Sequence, residues 1–120
     1  MNKNAIILIY PDGKIDKSII KDRDIHLAYF REISKHSPRF NKYLPSAYTN
    51  KKFSKFMKDN NYDEVYLCGI DECGCVYHTA KSAIKRTNTY IIKDGTFSCF
   101  NKEKISKIRE KLINKGIKYI

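Results

Sequence analysis

Ala5 to Tyr10 reads A-I-I-L-I-Y, an unbroken apolar run closed by one phenol. A run this short and this continuous marks a strand buried on both faces, because a half-exposed strand alternates with polar residues. Pro11-Asp12-Gly13 follows as a turn. Glu64 to Cys68 and Thr89 to Ile92 read as further strands. The stretches between them carry apolar residues at helical spacing. Strands alternating with helices predict an α/β class protein, with a mostly parallel sheet between two helical layers (three-layer α/β/α). In such sheets ligands bind outside the carboxyl ends of the strands.

The rest of the chain fills in this frame. Ser18 to Lys21 reads as a short second strand. Asp24 to Ser34 has helical spacing at Ile25, Ala28, Tyr29 and Ile33, and Ser37-Pro38 ends it. Residues 39 to 49 look irregular. Asn50 is placed to cap a helix running to Asp59, with Phe53, Phe56 and Met57 on its inner face. Asn60-Asn61 forms the turn after it. A helix is expected from Cys75 to Arg86, packing through Val76, Thr79, Ala80 and Ala83. Asp94-Gly95 is expected to close the strand at Thr89 to Ile92. Asn101 would cap a last helix with the stripe Ile105, Ile108, Leu112 and Ile113. Gly116 ends that helix, and Ile117 to Ile120 can add a final strand.

With 120 residues and no linker or repeat, residues 1–120 are read as a single domain. No stretch approaches the roughly 20 apolar residues that span a bilayer. The N-terminus lacks a signal peptide's apolar core and cleavage site, so a cytoplasmic protein with no membrane partner is expected. The four cysteines, Cys68, Cys73, Cys75 and Cys99, then read as reduced thiols rather than disulfides. A net charge of +11 invites a nucleic-acid reading. The lysines, however, are scattered along the chain, and no RNA-binding or zinc-finger signature is present. Solvated surface charge is the favoured reading, and a nucleic-acid partner is disfavoured.

Cys68 to Ala80 reads C-G-I-D-E-C-G-C-V-Y-H-T-A and runs from a predicted strand into a predicted helix. Unpaired backbone N–H groups at such a junction favour thiolate over thiol. The bland alternative is a buried turn with an inert cysteine. A metal site from Cys73, Cys75 and His78 is a weak alternative, because that spacing is not a common zinc pattern and no fourth ligand is evident.

Gly69-Ile70, Cys75-Val76 and Thr79-Ala80 resemble the nucleophile segment of the isochorismatase-like cysteine hydrolases, whose pattern is G-[IV]-x-T-x-x-C-V-x-x-T-A. This family includes nicotinamidases, N-carbamoylsarcosine amidases and isochorismatases. Upstream, Lys42, Ser46, Ala47 and Tyr48 resemble its K-x-x-x-S-A-F segment. Downstream, Ala83 and Tyr90 to Asp94 resemble its next strand and common Asp. Three separated matches in the right order outweigh one short motif. The resemblance spans roughly residues 42 to 115.

The resemblance implies an isochorismatase-like, Rossmann-like hydrolase fold in compact or truncated form. It implies Cys75 as nucleophile, Lys42 as the cation that activates it, and an oxyanion hole from the backbone N–H groups of Asp71 and Cys75. It also implies a cis peptide at Ile70–Asp71, no required cofactor, and a homo-oligomer. The general acid/base is less direct. A straight register puts Tyr10 where the family has Asp, and a two-residue bulge would bring Asp12 there. An unperturbed phenol, with pKa near 10, cannot replace a carboxylate. Glu72 stands where the family usually has Thr, and the N-terminal half looks short. Asp24, His26 and His36 resemble a remnant of the nicotinamidase metal site, with shorter spacing, so no metal is assigned. The implied function is amide C–N cleavage of a small molecule through a thioester on Cys75. An inactive relative serving as a binding or assembly module is the alternative.

Overall fold

The computed structural model describes residues 3–9, 38, 40, 44–98 and 102–120. Strand β1 spans Asn4–Ile9 and helix α1 spans Lys51–Asn60. Strand β2 spans Glu64–Ile70, and a π-helical turn over Glu72–Val76 leads into α2, Tyr77–Ala83. Strand β3 spans Asn88–Phe97, α3 spans Ile105–Asn114, and β4 spans Lys118–Tyr119. The four strands form one sheet in the order β1-β2-β3-β4, every pair parallel. This is the α/β arrangement that the alternating pattern predicts.

The local rules explain most boundaries. The Asn50 side chain accepts the Phe53 N–H at 3.0 Å, the expected cap on α1. Asn61 ends α1 in the left-handed conformation, with φ of 48°. Phe53 and Met57 are buried, and Phe56 packs against their cluster. Val76, Thr79, Ala80 and Ala83 are all buried, as expected of the helix after the cysteines. The core runs from Ile7 and Ile9 through Val65, Leu67 and Ile91 to Leu112 and Ile117.

Four expectations need correction. β1 is not buried on both faces: Ile7 and Ile9 are buried, whereas Ile6 is 66% exposed and Leu8 half-buried, so its other face is open among the described residues. The helix expected over 75–86 begins as a π turn, and its α-helical part stops at Ala83. Asp94-Gly95 does not close β3. Leu67 pairs with Ile91 and Gly69 with Thr96, so residues 92–95 bulge out and the strand resumes. The Thr96 hydroxyl donates to the Ile92 carbonyl at 2.7 Å and seals the bulge. Ile113 lies off the buried stripe of α3 and is 55% exposed. The expected strand at 18–21, the helix at 24–34 and the Asn101 cap lie outside the described residues.

Candidate functional site

The sheet brings the cysteine turn to the carboxyl edge of β2. Gly69 makes this possible. Its φ is +122°, and a Cβ there would lie 2.0 Å from the carbonyl oxygen of Ile9 on β1. No side chain fits such an approach. The Ile70–Asp71 peptide, expected to be cis, is cis. The chain then turns through Asp71, whose carbonyl accepts the N–H groups of Gly74 and Val76, both at 3.0 Å. Cys75 sits within this turn, partly exposed, with Val76 anchored beside it in the core.

Two neighbouring thiols sit in settings that hold their protons. Cys68 is fully buried in β2, and burial pushes its thiol up to about 12. Burial also raises the Cys73 thiol, with the negative charges of Asp71 and Glu72 adding to the effect. Both settings favour the neutral thiol and argue against Cys68 and Cys73 as nucleophiles.

The segment at 46–48 docks on the helix that follows Cys75. The Ala47 N–H donates to Thr79 Oγ1 at 3.0 Å, and Ser46 Oγ donates to Ser82 Oγ at 3.0 Å. Tyr48 is buried against Phe53, with ring centres 5.1 Å apart. The Ser-Ala and Thr-Ala motifs are therefore two sides of one contact. Lys42 precedes that contact by four residues and lies outside the described residues, as do Tyr10, Asp12, Asp24, His26 and His36.

One contact is invisible to motif reading. Glu72 opens the π turn and is almost wholly buried. Arg109 of α3 grips it with two bonds, Nε to Oε2 at 2.6 Å and Nη2 to Oε1 at 3.0 Å. The hydrogen bond to Glu72 raises the Arg109 pKa further, so the guanidinium stays charged at ordinary pH. Among the described residues, which include Cys73, Cys75 and His78, no group of three His, Cys, Asp or Glu side chains is placed to hold a metal. A cleft of about 590 Å³ lined by Tyr48, Lys58, Tyr62 and Arg86, among others, does not include the cysteine turn.

Residues 26–110 match the isochorismatase domain family, and that interval holds the cysteine turn, the Ser-Ala segment and Arg109. The chain belongs to the isochorismatase family. No curated protein matches it in sequence. Solved structures similar to this isochorismatase-family chain include a nicotinamidase from Staphylococcus aureus, with TM-score 0.71, 17% identity and full coverage of both chains. A pyrazinamidase of Pyrococcus horikoshii, solved in complex with zinc, has TM-score 0.67 at 17% identity, covering 98% of each chain. An octameric hydrolase of unknown specificity from Escherichia coli has TM-score 0.76 at 15% identity, over 99% of this chain and 75% of that one. At these identities the likeness establishes the isochorismatase-like α/β fold. Among the described residues no helix is long and apolar enough to cross a membrane.

Proposed function

We propose that this protein is a cysteine hydrolase that cleaves an amide C–N bond of a small molecule through a thioester on Cys75. The observation that carries the reading is the placement of Cys75, partly exposed, in the turn that leaves the carboxyl end of β2. This is the edge where open α/β sheets bind their ligands. The nicotinamidase and pyrazinamidase neighbours supply the reaction class.

In this cycle the Cys75 thiolate attacks the carbonyl carbon, and the tetrahedral oxyanion rests on the backbone N–H groups of Asp71 and Cys75. The C–N bond breaks as Asp12, in its protonated form, gives a proton to the leaving nitrogen. Asp12 as carboxylate then takes a proton from water, which attacks the thioester, expels the Cys75 thiolate and releases the acid, so both groups return to their starting states. Lys42 holds the thiolate by its charge. Chain connectivity favours both assignments. Asp12 follows Ile9 by three residues, a reach of at most about 10 Å, and Ile9 pairs with Gly69. Lys42 is four residues from Ser46, which bonds to Ser82. The enzyme so read is a cytoplasmic homo-oligomer, and the octameric Escherichia coli neighbour favours assembly.

Ammonia release from a panel of small primary amides tests the reading. The wild type should release ammonia, and Cys75→Ala should lose at least about a thousandfold in rate. Lys42→Ala and Asp12→Asn should each lose on the order of a hundredfold or more. A Cys75→Ala protein as active as the wild type contradicts the mechanism. The second reading, an inactive relative that binds or assembles, is favoured by Tyr10 standing in the register of the family's Asp. It predicts no turnover of any amide while Cys75 still binds a small ligand.

A further inference from the structure

We propose that Glu72 and Arg109 form a positioning pair that pins the Cys75 turn to helix α3 and cancels the charge of Glu72 beside the nucleophile. The proposal rests on the reading of Cys75 as nucleophile. It concerns two residues that lie outside the attacking and proton-transfer groups.

The geometry is specific. Glu72 is 3% exposed and opens the turn that contains Cys75 three residues later. Both of its carboxylate oxygens are taken by one guanidinium, the bidentate arrangement that fixes direction as well as distance. The Arg109 guanidinium also lies 5.5 Å from the centre of the Tyr119 ring on β4. Three residues along α3, Leu112 is fully buried and holds the helix in place. The turn is therefore tied to an element 37 residues away in sequence. A buried carboxylate that loses its partner carries a large desolvation cost, so this turn keeps its shape only with the cation present.

The charge argument is separate from the anchoring one. Asp71, Glu72 and Cys73 belong to the turn or its entrance, Glu103 precedes α3, and Arg109 and Tyr119 face the turn from α3 and β4. Arg109 neutralises the Glu72 carboxylate within the turn. Removing Glu72's charge leaves Arg109 uncompensated and favours thiolate at Cys75. Removing Arg109 leaves the Glu72 charge uncompensated in the turn and favours thiol.

The experiment is the rate of Cys75 alkylation by iodoacetamide, resolved by peptide mass spectrometry, from about pH 5.5 to about pH 9.5. The proteins are the full chain as wild type, Glu72→Gln, Arg109→Met and Arg109→Lys, each checked for fold by circular dichroism. The midpoint of the profile should move to lower pH in Glu72→Gln and to higher pH in Arg109→Met, by about half a unit or more. The plateau rate should fall about tenfold in Arg109→Met. Arg109→Lys keeps the charge but not the two-pronged grip. It should restore the midpoint while recovering only part of the rate. A purely structural role would slow the reaction without moving the midpoint, so superimposable midpoints in folded Glu72→Gln and Arg109→Lys overturn the proposal. Should Arg109→Met fail to fold, a lowered midpoint in Glu72→Gln beside a wild-type midpoint with a slowed rate in Arg109→Lys decides the question alone. If wild-type Cys75 reacts no faster than Cys73, the nucleophile reading falls and takes the pair's role with it. If wild-type Cys75 is selective and the variants match it, only the pair's role falls.

Discussion

Gly69 shows how one residue sets the site. Its backbone lies so close to Ile9 that a single methyl would meet the Ile9 carbonyl oxygen, and its φ of +122° is foreign to any residue with a Cβ. Gly69→Ala should destabilise the protein by more than about 3 kcal/mol, because backbone strain and backbone overlap add. Urea unfolding of the variant beside the wild type checks this, and loss of less than about 1 kcal/mol would contradict the close packing of β1 on β2. In the sequence the same residue stood as a match to the family motif. Glu72 did not. It reads as a departure from the motif until Arg109, far along the chain, is placed beside it.

At the scale of elements, helices and strands obey their local rules except where a long-range partner intervenes. α1 was legible from end to end, because its cap at Asn50, its apolar spacing and its Asn61 terminator all act within a few residues. β3 was not. The bulge at 92–95 depends on how β2 pairs with it, and Asp94-Gly95 alone looks like a stop. The C-terminal helix α3 was half legible. Its spacing identified Leu112 and Ile108 but also offered Ile113, which the packing leaves in solvent. Leu112→Ala should cost about 2–5 kcal/mol in urea unfolding, while Ile113→Ala should cost less than about 1 kcal/mol. Equal losses at the two positions would mean that α3 packs through a different face.

For the whole molecule, the buried acids tie stability to alkaline pH. The Cys68 thiol rises from its ordinary 9.0 to about 12 in the folded state, because no water reaches it. The unfolded chain releases this proton from about pH 9 upward and the folded chain does not. The unfolded state therefore holds fewer protons, and stability falls as pH rises between about 9 and about 12. Burial raises the Tyr48 and Tyr119 phenols in the same direction, so they add to the loss at the upper end. Cys68→Ala should flatten the decline by up to about 1.4 kcal/mol per pH unit in that window. An unchanged slope would mean that the thiol titrates freely in the fold.

The fold class was legible because the apolar runs of the strands and the spacing of the helices are local signals. The cysteine turn was legible because its motif is contiguous. The proposed catalytic set as a whole was not, since Asp12, Lys42 and Cys75 come from three separate stretches and motif register leaves Tyr10 competing with Asp12. The central claim is that Cys75 is the reactive thiol of this chain and depends on Lys42. Its most direct test is labelling with a thiol-reactive analogue of a small amide, with adducts on all four cysteines mapped in wild type, Cys75→Ala and Lys42→Ala. The account predicts that Cys75 takes the label at least about tenfold faster than Cys68, Cys73 or Cys99 in the wild type. Total labelling should fall steeply in Cys75→Ala, to the slow rate of the other thiols, and be strongly slowed in Lys42→Ala. Undiminished labelling in Cys75→Ala would contradict it.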